Sequence, residues 1–156
     1  MEYTMKLIPK LISYGANWGD KDIVVFTANQ IVKSNGELVM GAGNAKAARD
    51  NILGSASAFG IALQDYRFMV LPFRRVGGVT NLAALVTKQH FKDPSNLEFV
   101  IESLRKLYRY AIDNPSYTIH LPYPAIGFGG LTRTQLDPIM EFMPDNVLIY
   151  INPKKY

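Results

Sequence analysis

The stretch Ile23-Val24-Val25-Phe26-Thr27-Ala28 is almost unbroken in its apolar character, and four of its first five residues are β-branched. It is too short for a helix, so it reads as a strand buried on both faces, a condition met where helices cover both sides of a sheet. That restricts the chain to α/β folds.

A second stretch, residues 117–136, runs from a strand through a glycine loop into a helix. Tyr117 to Leu121 has strand composition, Pro122 and Pro124 stop the ladder, and Gly127, Gly129 and Gly130 allow close backbone approach. Thr132 or Thr134 can cap the helix that follows. Its apolar positions are Leu136, Ile139, Met140 and Met143, and Pro138 is tolerable only in the first turn. A loop that delivers the chain to a helix N-terminus presents unpaired N–H groups and the positive end of the dipole, the outline of a phosphate site. The same Gly-x-Gly-Gly text also makes an ordinary tight turn, so a phosphate site calls for a partner loop. Val39-Met40-Gly41-Ala42-Gly43-Asn44-Ala45 supplies one, ahead of an alanine-rich helix with Asn44 as a possible N-cap.

The remaining elements follow from pattern. Met5 to Tyr14 reads as a strand interrupted by Pro9, hence an edge strand or one beginning after the proline. Gly15 to Asp22 is a loop, and Asn29 to Leu38 is a polar excursion turning at Ser34-Asn35-Gly36-Glu37. Gly54 and Gly60 break the segment 52–65 into helix and turn. Phe68 to Phe73 and Asn81 to Thr87 flank an Arg74-Arg75-Val76-Gly77-Gly78 turn, the pattern of a hairpin or of adjacent strands. Ser95 and Glu98 form a capping-box text before the stripe Leu97, Val100, Ile101, Leu104, Leu107, Tyr108 and Ala111, and Val147 to Ile151 makes a last strand. About six strands alternate with three or four helices, giving a mixed sheet covered on both faces, with both glycine loops at the carboxyl ends of strands.

A chain of 156 residues fits a single domain, 1–156, with 48% hydrophobic and 19% charged residues. It contains no cysteine, which removes disulfides, thiolate metal sites and a cysteine nucleophile. His90 and His120 lie thirty residues apart, so a zinc site is not expected, and no cofactor is expected either. The N-terminal segment carries Glu2, Lys6 and Lys10 and no long apolar run, so a signal peptide and a membrane span are not expected, and the protein reads as cytoplasmic. A net charge of +4 favours anionic partners such as nucleotides or nucleic acid. Oligomeric state is not legible.

The two loops, with Leu85-Val86-Thr87-Lys88-Gln89-His90-Phe91 between them, resemble the macrodomain family over 23–151. The resemblance implies a three-layer α/β/α fold and a site for ADP-ribose. It assigns Gly41, Ala42, Gly43, Asn44 and Ala45 to the distal ribose and phosphate, and Ile126, Gly127, Phe128, Gly129, Gly130 and Leu131 to the diphosphate. Asn29, at the end of the first buried strand, would lie near the distal ribose. The Thr-Lys-x-His context is similar to the branch containing DNA ADP-ribosyl glycohydrolase antitoxins and glutamate-directed hydrolases, in which the lysine is catalytic, here Lys88. The family's Gly-Asp pair, whose aspartate binds adenine, has no clear counterpart. Gly15-Ala16-Asn17-Trp18 is the nearest text, with Asn17 or Asp22 as the binder. The aspartate that glutamate-directed hydrolases carry in the second loop is absent, Leu131 or Thr132 standing near its position, and the segment 29–38 is longer than the family pattern.

Cleavage at the distal ribose passes through an oxocarbenium-like state that polar groups on rigid loops can orient and stabilise. Lys88 would protonate the leaving group or, in its neutral form, attack the sugar, with Asn29 holding the ribose. Each has a structural alternative: a solvated strand-end lysine, and an Asx-turn. His90 is a general base or a loop imidazole packed on Phe91, and His120 a core histidine. Trp18 and Phe128 stack on ligand or fill the sheet end. Arg74, Arg75 and Lys92 track nucleic acid or sit in solvent. The partner is thus ADP-ribose or an ADP-ribosylated acceptor, nucleic acid included. A non-catalytic binder, an ADP-ribose 1″-phosphate phosphatase and a plain nucleic-acid-binding protein are the alternatives.

Overall fold

The apolar runs are laid side by side as six strands, β1 (Leu7–Ile8), β2 (Asp22–Ala28), β3 (Phe68–Arg75), β4 (Gly78–Val86), β5 (Thr118–Pro122) and β6 (Val147–Tyr150). Four helices connect them, α1 (Gly43–Asn51), α2 (Ser55–Ala62), α3 (Leu97–Asp113) and α4 (Arg133–Met140). The computed structural model describes residues 6–127 and 129–154. The sheet order is β1-β6-β5-β2-β4-β3. Every neighbouring pair is parallel except the β3–β4 hairpin. Because side chains alternate across a strand, β2 feeds two cores. Ile23 and Val25 pack with Val100, Leu104 and Leu107 of α3 and with Leu136 and Met140 of α4. Val24 and Phe26 pack with Ala48 of α1 and Ala56 and Phe59 of α2. The expected three-layer α/β/α arrangement around a mixed six-stranded sheet is the one found.

Several local expectations shift. β1 is an edge strand that stops before Pro9, paired to β6 through Leu7↔Ile149 and Ile8↔Tyr150; Met5 lies outside the described residues. Pro72 falls within β3, which is tolerable because β3 is the other edge. Arg75 donates to the carbonyls of Gly15 and Ala16 and to Thr80 Oγ1, so it ties the 15–16 loop to the hairpin rather than tracking a polyanion. The N-cap of α3 is Asn96, whose side chain accepts from the N–H groups of Glu98 and Phe99; Ser95 stands one residue too early. Thr132 caps α4 with a full capping box to Gln135, and Pro138 stands in the second turn instead of the first. A helix of only eight residues loses one rung there. Gly60 remains inside α2 because a Cβ would lie 1.9 Å from the Gly36 carbonyl oxygen, so the 29–38 excursion packs directly against that helix.

Candidate functional site

β2 and β5 pair only as far as Val24↔His120, whereas β2 and β4 stay paired through Ala28↔Val86. The sheet therefore splits along the last residues of β2, and the backbone groups freed on that side need other partners. Tyr14 donates its hydroxyl to the Val25 carbonyl at 2.7 Å, and Asn44 Oδ1 accepts from Thr27 N at 2.9 Å and Thr27 Oγ1 at 3.0 Å. Full burial pushes the Tyr14 phenol well above the usual tyrosine range, so it stays a donor. Above the split lies a cleft of about 840 Å³ across the carboxyl ends of β1, β6, β5, β2 and β4. Crevices outside the carboxyl ends of parallel strands are where open α/β sheets take ligands.

Both glycine loops border it. Gly41 to Ala45 line one wall, and α1 starts there with Ala42 as N-cap and no side-chain cap. Asn44 is inside the helix, not capping it, because its carboxamide is turned to Thr27. The first N–H groups of α1 are thus left facing the cleft. Ile126, Gly127 and Gly129 line the facing wall, and Phe128 lies outside the described residues. Gly129 is wedged: a Cβ there would meet Ser95 Oγ at 2.4 Å and the Ala125 carbonyl oxygen at 2.5 Å. Its carbonyl accepts from Ser95 N, and Leu131 N donates to Ala125 O. Tyr123, on the same wall, donates to Asp137, and burial together with that carboxylate pushes its phenol far up.

Lys88 follows β4 and is half-buried in the cleft wall, with no ion-pair partner among the described residues. Asn29 also lines the cleft, but its Oδ1 accepts from Ile31 N and its Nδ2 donates to Val39 O, an Asx-turn that leaves one N–H for a ligand. Gly130 and Leu131 do not line the cleft, Leu131 being packed against the core under α3 and α4.

The adenine expectation needs correction. Asp22 opens β2 at the amino end of the sheet, roughly 20 Å of strand from the cleft, and its Oδ1 accepts from His120 Nε2 at 2.8 Å. Asn17 is exposed on the adjoining loop and lines nothing. Trp18 lies tilted against His120 at 4.4 Å between ring centroids, and His90 stacks on Phe91, accepting from Lys92 N; none of the three imidazole or indole rings enters the cleft. What does enter at the β1 end is Lys10, Leu11 and Ile12, opposite Tyr150, Ile151 and Asn152. Sequence reading passed over these because β1 was drawn too long; the signal available was Pro9, which ends the strand and releases the next residues. Phe91 and Ser95 were likewise missed as cleft residues. Among the described residues, no aspartate or glutamate lines the cleft and no group of three His, Cys, Asp or Glu could hold a metal ion. No helix among them is long and apolar enough to cross a membrane.

No protein-family model matches the sequence, and no curated protein matches it at a significant level. Solved structures do. The macrodomain of Mycobacterium tuberculosis DarG superposes with a TM-score of 0.66 at 22% identity, over 90% of this chain and 97% of that one. The macrodomain of Thermus aquaticus DarG gives 0.62 at 21% identity, over 95% and 97%. Thermosipho africanus DarTG in complex with ADP-ribose gives 0.69 at 16% identity, over 86% of this chain and 39% of that one. The chain has the macrodomain fold.

Proposed function

We propose that the cleft binds ADP-ribose and that the protein removes ADP-ribose from a modified acceptor. One observation carries the reading: the half-buried Lys88 opens onto the same cleft as both glycine loops. The five strand ends beneath that cleft span four inter-strand spacings, about 19 Å, room for a base, two riboses and a diphosphate laid end to end. The uncapped amides of α1 and the second loop suit the diphosphate, and the distal ribose then falls by Lys88 and Asn29. The ADP-ribose in the Thermosipho africanus structure makes that nucleotide the first ligand to test.

In the reaction the bond from C1″ to the acceptor breaks, water oxygen bonds to C1″, and the acceptor regains a proton. Lys88, the cation at the β4 end of the cleft, gives that proton or stabilises the leaving group's developing charge. A net charge of +4 favours nucleic acid as the acceptor. The test is release of unmodified strand from an ADP-ribosylated thymidine oligonucleotide, with at least a hundredfold loss of rate, on the order of general-acid effects, in Lys88→Ala. No turnover on any ADP-ribosylated acceptor would sink the hydrolase reading.

The second reading is a binding module without chemistry. The lack of a carboxylate among the described cleft residues favours it, since no general base is then at hand to activate water. Tight ADP-ribose binding with no turnover would establish it.

A further inference from the structure

Among the described residues, the two charged side chains that line the cleft stand at its two ends, Lys88 after β4 and Lys10 after β1. With the diphosphate over the loops at the ends of β5 and β2 and the distal ribose by Lys88, Lys10 follows β1, two strand spacings from β5, about 10 Å along the sheet, on the side away from Lys88 and not over the diphosphate loops. It stands instead where the base-side nucleoside ends.

The polar groups free at that end are donors. Tyr150 is turned inward, its hydroxyl 2.8 Å from His120 Nδ1, so the cleft receives only its ring, and the Lys10 ammonium lies 6.0 Å from that ring's centroid. Asn152 Oδ1 accepts from Lys154 N at 3.0 Å, and its Nδ2 has no hydrogen-bond partner among the described residues. Lys10 has no ion-pair partner among the described residues. An ammonium and an amide N–H₂, both donors, suit an oxyanion.

We propose that the β1 end of the cleft is a second anion subsite, in which Lys10 and Asn152 take a phosphate carried on the base-side ribose of the bound nucleotide. The ligand class this defines is ADP-ribose bearing a further phosphate at the 2′ or 3′ hydroxyl. The inference rests on the ADP-ribose reading of the cleft, and its test separates the two.

The full chain is titrated calorimetrically with ADP-ribose, 2′-phospho-ADP-ribose and 3′-phospho-ADP-ribose, then again as Lys10→Ala and Asn152→Ala. Lys10 is exposed and makes no side-chain hydrogen bond among the described residues, so its variant is expected to melt like the parent. One phosphorylated ligand should bind about tenfold or more tighter than ADP-ribose, a gain charge-assisted hydrogen bonds can supply, and which one does so names the hydroxyl. That gain should vanish in Lys10→Ala while ADP-ribose affinity stays within about twofold. Equal affinities for all three ligands, or a gain that survives Lys10→Ala, overturns the subsite and leaves ADP-ribose binding standing. Failure of all three to bind removes both.

Discussion

The two glycine loops face each other across one cleft and use glycine for opposite reasons. In the first, Gly41 and Gly43 have nothing within 4 Å of an added Cβ, and the space they leave belongs to the cleft. In the second, Gly129 is enclosed by Ser95 and Ala125, and neighbouring Ala125 already holds a positive φ of 66°. Gly41 keeps the first loop open to a visitor, whereas Gly129 lets the second loop close on itself, with Gly130 beside it open. Glycine content alone would have ranked the two as equals.

The contrast is breakable by substitution. Gly129→Ala forces its Cβ against the Ala125 backbone, so a stability loss of about 2–3 kcal/mol in urea unfolding is expected, with ADP-ribose affinity lost as the loop shifts. An unchanged midpoint would mean that the second loop yields freely. Asn44→Ala strips Thr27 N of its acceptor and should lower stability by about 1–2 kcal/mol; if it does not, water is replacing the carboxamide where β2 and β5 part. Gly41→Glu should leave stability within about 0.5 kcal/mol yet weaken ADP-ribose binding at least about tenfold, since the new carboxylate occupies open space beside the uncapped α1 amides. A large drop in melting temperature there would erase the distinction between the loops. Gly43→Ala is the mildest, about 1 kcal/mol for a left-handed φ of 57° with no steric clash, measured by the same unfolding curve.

What the sequence disclosed were features written locally. The unbroken apolar run of β2, the β3–β4 hairpin around Val76-Gly77 and the stripe of α3 needed no knowledge of distant partners. Ser95 was mistaken for a cap because Ser95-x-x-Glu98 fits the capping text as well as Asn96 does; Ser95 N is instead committed to Gly129 O across the fold. Of the residues that border the cleft, the loop glycines and Lys88 were marked by the sequence and the β1 end was not. That end is fixed by the Leu7↔Ile149 register, a pairing between the chain's two extremities that no local pattern encodes. Looking for an adenine binder by nearness in text led to Asn17 and Asp22, which the parallel topology carries to the opposite end of the sheet.

Asp22 still reaches the cleft indirectly. Its carboxylate meets His120 Nε2, His120 Nδ1 meets the Tyr150 hydroxyl, and Trp18 lies over the imidazole. Burial, with the Asp22 charge beyond, raises the Tyr150 phenol above its usual range, so the ring stays neutral. A tyrosine clamped in this way has lost its rotamer freedom when the chain folds, not when a ligand arrives. Association at that wall therefore carries a smaller ordering penalty than at the exposed Leu11 opposite, whose side chain has still to be immobilised, and the cleft has one pre-set jaw and one adaptable one.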